Sequence, residues 1–217
     1  MTVRQELASS EEIHAYLLQR LNLALRRPGM MGRETGIRLV LDHLLAAERR
    51  PEAWEELRET LDRRGAWTSV GVSGAFEDLL PGDHGCSTAS VYAEFARRQG
   101  WLETDRLLDA GAYAELRAAI ALWTAQDRTW SHVEAAFGPP SVLFGGTNPY
   151  YGKVLGYASE SPQEPMVFFH LWNGTDPGAG HTWPPPRVEP LLLAVRCGDG
   201  PFADTFTFTP EGRRRPG

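Results

Sequence analysis

Between Ser131 and Gly174 the chain changes character, and that change limits the folds open to it. A short helical run stops at Phe137-Gly-Pro-Pro140, and three strand-like runs follow it. Met166–Trp172, reading Met-Val-Phe-Phe-His-Leu-Trp, is the most apolar strand candidate in the protein. Ahead of Gly138 apolar residues recur at helical spacing; beyond it they fall in short runs separated by Gly, Pro and Asn. Helices grouped before strands predict an α+β fold: an N-terminal helical region packed with a C-terminal, mostly antiparallel sheet of about five strands. The strands are expected at 141–144, 154–158, 166–172, 191–196 and 205–209. Most links between them are too short for helical crossovers, which is why antiparallel pairing is expected. Residues 1–130 form the helical region and 131–212 a helix plus the sheet, the two sharing one core. The Arg-Arg-Arg-Pro-Gly run at 213–217 is expected to be a frayed tail.

In the helical region, Ser9-Ser-Glu-Glu12 is a capping-box pattern ahead of Ile13, Leu17, Leu21 and Leu25. That helix should end near Arg26, because Pro28 disfavours helix at the residue before it. A second helix is expected from Glu34 or Thr35, and a third with Pro51 in its first turn and Gly65 as its stop. A fourth starts at Ser87 or Thr88. Trp101–Trp123 reads as one or two helices broken near Gly111, and Thr129 caps a last one.

Composition narrows the function classes. The net charge of −6 argues against a broad basic surface for nucleic acid and suits a basic protein partner. Lys153 is the sole lysine among 22 basic residues, an arginine bias expected of a GC-rich bacterial genome. Met1–Ser10 is polar with no apolar stretch behind it, and no run approaches the roughly 18 residues of a membrane span. Two cysteines make neither a disulfide framework nor a Cys-x-x-Cys pair. A reduced, cytoplasmic protein without membrane contact is expected.

Three stretches carry candidate chemistry. In Gly82-Asp-His-Gly-Cys-Ser-Thr88, Cys86 falls at a helix start, where the dipole lowers a thiol pKa. A Cys at a helix start followed by small residues and an aromatic resembles the nucleophile of papain-like and NlpC/P60-type cysteine peptidases. The resemblance implies a base on a later strand, and His170 has that order. No third residue is evident to orient the imidazole. His84, Cys86, His170 and His181 lack zinc-ligand spacing, so no metal is expected. Arg26-Arg-Pro-Gly-Met30 followed by Gly32 resembles a short signature in the ATP-binding subunits of type II topoisomerases. None of the rest of such a nucleotide site is present. Arg26, Arg27 and Arg33 flank this turn and could hold a small anion or nucleotide beside the next helix.

Gly145–Gly152 lacks the lysine of a phosphate loop and reads as a Gly-rich hairpin, so no cofactor is implied. It presents Tyr150 and Tyr151. The long connection 176–186 carries His181 and Trp183, which with Trp172 are expected to wall a groove over the sheet. The order helix, Phe-Gly-Pro-Pro, strand, hairpin, strand, strand resembles the small α+β modules of BamE-type lipoproteins and β-lactamase inhibitor proteins. The resemblance implies protein binding. The reading that results is a non-catalytic bacterial protein of immunity or regulatory type that binds another protein. A Cys86/His170 hydrolase or acyltransferase is the first alternative and an anion sensor at the arginine-rich turn the second.

Overall fold

The computed structural model of the chain describes residues 7–175 and 183–215. Within them the order of elements is helices, then sheet, as an α+β fold requires. Helix α1, Ser10–Arg26, opens with the capping box: Ser9 accepts from the Glu12 amide, and the Glu12 carboxylate accepts from the Ser9 amide. It stops short of Pro28, which begins a single tight turn, Pro28–Met30. Helix α2 spans Arg33–Ala47 and α3 spans Glu52–Arg63, followed by Gly65 at φ 73°. That left-handed φ is the stop that glycine supplies. Helix α4, Gly85–Arg98, starts two residues earlier than Ser87.

One helical expectation needs correction. Residues 101–109 are not helical, and α5 runs Ala110–Trp123 with Asp109 capping the Ala112 amide. Gly111 therefore lies in a first turn and marks no break. The preceding stretch is extended because its backbone bonds go to the sheet region instead: Asp105 to Ser141, Leu108 to Ala158, and Glu160 to Leu108. Helix α6, Trp130–Phe137, is capped by Thr129 as its sequence predicts.

The strands β1 (Val142–Phe144), β2 (Lys153–Tyr157), β3 (Val167–Trp172), β4 (Leu191–Arg196) and β5 (Phe206–Phe208) lie side by side in chain order. Every neighbouring pair is antiparallel. Alternation along β3 sends Phe168 and His170 to one face and Val167, Phe169 and Leu171 to the other. The first face packs on Leu21, Leu25, Ile37, Leu41 and Tyr92 of α1, α2 and α4. The second packs on Tyr113 and Leu116 of α5 and Val133 of α6. A bulge at Leu193, between the pairs His170–Ala194 and Leu171–Leu192, turns one extra side chain towards the first face.

Of the 213–217 run expected to fray, Arg213 and Arg214 are helical, and Pro216 and Gly217 lie outside the described residues. Pro210–Arg214 forms α7, where Thr209 caps the Gly212 amide. Arg214 and Arg215 both bond to Glu211, and Arg215 lies 4.6 Å from the Trp172 ring centroid. These contacts hold Arg214 and Arg215 against the rest of the protein.

Two expected outcomes follow from this packing. Separately expressed 1–130 and 131–217 should each lack a cooperative melt, since one face of the sheet and the helices α1, α2 and α4 bury the same apolar residues. Two fragments that melt cooperatively would mean two cores. Glu34 is buried and accepts from the Val72 amide (2.8 Å), the Ser73 amide (2.9 Å) and the Tyr92 hydroxyl (2.7 Å). Glu34→Ala orphans all three donors and should cost about 3 kcal/mol or more in denaturant unfolding, against about 1 kcal/mol for Tyr92→Phe.

Candidate functional site

The residues singled out by sequence fall at three places along one end of the sheet. At the first, α4 begins at Gly85 and puts Cys86 in its first turn. The thiol packs on the backbone of Gly145, where an added Cβ would lie 3.1 Å from Sγ. Burial pushes the Cys86 thiol up to about 12, and the nearby Asp83 carboxylate adds to the shift; Lys153 and Arg27 oppose it and are outweighed. His170 is 2% exposed, with Nδ1 3.0 Å from the Ser87 hydroxyl. Its Nε2 has no hydrogen-bond partner among the described residues, and its ring lies 5.8 Å from that of Phe76 and 5.5 Å from that of Phe206. Burial holds the imidazole well below its ordinary pKa, helped by Arg196 and His84. The hydrogen bond that His170 makes in this structure is to Ser87, the residue after Cys86. Burial shifts the Cys86 thiol and the His170 imidazole each towards its neutral form, the opposite of the ion pair that activates cysteine nucleophiles.

At the second place, the arginines of the turn are engaged within the protein. Arg26 makes a two-pronged bond to Asp105 (2.9 and 3.0 Å) and a third to the Glu103 carbonyl. Arg27 donates to the Gly145 carbonyl, and Arg33 pairs with Asp83 at 2.9 Å. The turn ties α1 to the sheet, with the Gly145 amide bonding back to the Arg26 carbonyl at 2.9 Å. Arg26 and Arg27 thus direct donors to a carboxylate and carbonyls of the chain, which weighs against an open anion cradle at this turn. Among the described residues no group of three or more His, Cys, Asp or Glu is placed to hold a metal ion. No helix among them is long and apolar enough to cross a membrane.

At the third place, the β1–β2 loop and the β3–β4 connection meet. Tyr150 and Trp183 have ring centroids 5.8 Å apart, and Tyr151 and Trp183 5.4 Å apart. Trp183 is nevertheless 65% exposed and Tyr151 53%. Asn173 joins the two segments, its amide donating to the carbonyls of Pro149 (2.9 Å) and Arg187 (3.1 Å). Trp172 does not share this surface. It is half-buried, packs against the main core, and is flanked by Arg187 and Arg215. The backbone of Gly174 presses on it so closely that a Cβ there would come within 2.7 Å of the indole. His181 lies outside the described residues.

Sequence reasoning missed Ser87, Lys153 and Asn173. Serine and asparagine in small-residue or loop contexts carry no periodic signal, and a lysine is read as exposed unless a partner is known. Searches against family models, curated proteins and solved structures find no match to this chain.

Thiol alkylation tests the state of Cys86. With Cys197→Ser isolating the site, its rate should stay low through the unperturbed thiol pKa near 8.5 and rise only towards pH 12. Ser87→Ala should leave that profile where it is. A thiolate titrating below about 8.5 would restore the nucleophile.

Proposed function

We propose that this protein works by binding another protein, without turnover, through the surface formed by Tyr150, Tyr151 and Trp183. The role in mind is of immunity or regulatory type. The observation that carries the reading is the exposure of two large rings, Tyr151 and Trp183, that are in contact with each other while Trp183 also meets Tyr150. Exposed rings on a free loop would collapse onto the protein or sample many positions. Here Asn173 bonds the β1–β2 loop at Pro149 and the β3–β4 connection at Arg187, which ties together the segments that carry the rings. Aromatic anchors of this kind contribute most to protein interfaces, since they bury much area and lose little side-chain entropy. The net charge of −6 favours a basic partner. The raised thiol pKa at Cys86 and the bonds that Arg26 and Arg27 make within the protein are why binding is preferred to hydrolysis or anion sensing.

Truncation separates a binding surface from a core. Trp183→Ala and Tyr151→Ala should each leave unfolding free energy within about 0.5 kcal/mol of wild type. Each should also weaken capture of a native partner by about 2 kcal/mol, roughly thirtyfold in Kd. Trp172→Ala, in contrast, should cost about 3 kcal/mol of stability. Large stability losses in both exposed-ring variants, or capture indifferent to them, would rule the surface out.

A further inference from the structure

Lys153 is the chain's sole lysine, and β2 places it inside the protein at 1% exposure. Its Nζ donates to the carbonyls of Gly146 (2.9 Å) and Asn148 (3.0 Å) and sits 3.6 Å from the centroid of the Trp130 ring. The ionisable groups facing it are Glu134 on α6, Cys86 on α4 and Arg27 after α1, and they act through space rather than by hydrogen bonds. A buried ammonium without a bonded carboxylate is an unfavourable feature for a fold, since desolvation costs several kcal/mol. The protein registers that cost: burial pushes the Lys153 pKa down to about 8.

What the ammonium does locally is hold a loop. The carbonyls of Gly145, Gly146, Asn148 and Pro149 are taken by Arg27, Lys153, Lys153 and Asn173 in turn. Tyr150 and Tyr151 come next in the chain, and their amides bond back to the Asn148 side chain (2.9 Å) and carbonyl (3.3 Å). Lys153 supplies two of these four anchors from below, out of solvent. We propose that Lys153 is a positioning residue: it holds the 145–149 loop so that Tyr150 and Tyr151 meet Trp183, and it lowers the stability of the fold in doing so. The inference deepens the binding role proposed above and rests on it for its purpose.

Lys153→Met tests it, because methionine fills much of the same space without a donor or a charge. The variant should melt at or above the wild-type temperature, while amide hydrogen exchange across 145–151 accelerates tenfold or more and exchange in β2–β4 stays as it was. The pH dependence has a definite sign. An unfolded lysine titrates near 10.5 and the folded one near 8, so between these values the unfolded state binds more protons. Wild-type stability should therefore gain on Lys153→Met as pH rises from about 8 to 10.5, closing any gap in melting temperature. A lysine that merely supports the fold would give the opposite pattern: a lower melting temperature with exchange raised throughout the sheet. That pattern, or unchanged exchange at 145–151, would overturn the proposal. Faster loop exchange in Lys153→Met, with capture indifferent to Trp183 and Tyr151, would remove the binding surface and leave the positioning role of Lys153 standing.

Discussion

Strand β3 has no wet face, and the rest of the chain is arranged around that constraint. Val167–Leu171 is buried residue by residue, as are Lys153–Tyr157 beside it and Leu192–Arg196 on the other side. An antiparallel sheet usually leaves one side to solvent, with polar residues at alternate positions. Here the central strands are apolar on both sides and need two covers. Helices α1, α2 and α4 supply one, and α5 and α6 the other. Double burial also traps whatever polar groups the strands carry. Arg196 pairs with Glu94 at 2.8 Å, reaches Ser90, and lies 4.4 Å from the Phe168 ring centroid. His170 turns to Ser87 for the same reason. Removing one partner of such a pair is far more damaging than the net value of the pair suggests, because the other is left charged or unbonded in the interior.

The strands were legible because their signals are local. Phe137-Gly-Pro-Pro140 ends a helix by steric rule, and apolar runs of four to seven residues bounded by Gly, Pro and Asn have few other readings. The capping box at Ser9 and Glu12 is equally local. Residues 101–109 were not legible, because Leu107 and Leu108 fit a helical period and their partners lie some fifty residues on. The bridge from Leu108 to Ser159 decides that segment, and no short window contains it. The partners of the arginine-rich turn were not legible either. The clustering of its arginines suggests an anion site, whereas Asp105 and the carbonyls of Glu103 and Gly145 become neighbours only when the chain folds.

Cys86 shows how magnitudes decide between two sound arguments. A helix terminus stabilises a nearby negative charge by about 0.3–1 kcal/mol, which is less than one pKa unit. Packing a thiol against Gly145 removes water from it, and desolvation can shift a buried group by several units the other way. Position in the helix is readable from sequence; depth beneath the next loop is not. The larger effect is the one that depends on tertiary structure, so the thiol pKa is pushed up where the motif alone suggests a lowered one.

The arginine bias takes on a structural meaning in the loops. Arg97 donates to the carbonyls of Ser159, Ser161 and Glu164, Arg64 to those of Gly198 and Gly200, and Arg106 to that of Phe137. A guanidinium carries five donors in a rigid plane and remains charged, so one side chain can satisfy several carbonyls that no strand pairs. Loop carbonyls held this way do not need water, and the backbone carrying them gives up its conformational freedom during folding. Arg27, Lys153 and Asn173 apply the same device beneath Tyr150 and Tyr151. The consequence is thermodynamic. On the binding role proposed above, a loop ordered before encounter would have less entropy to lose as a partner closes over it, and more of the free energy from burying its rings would appear as affinity.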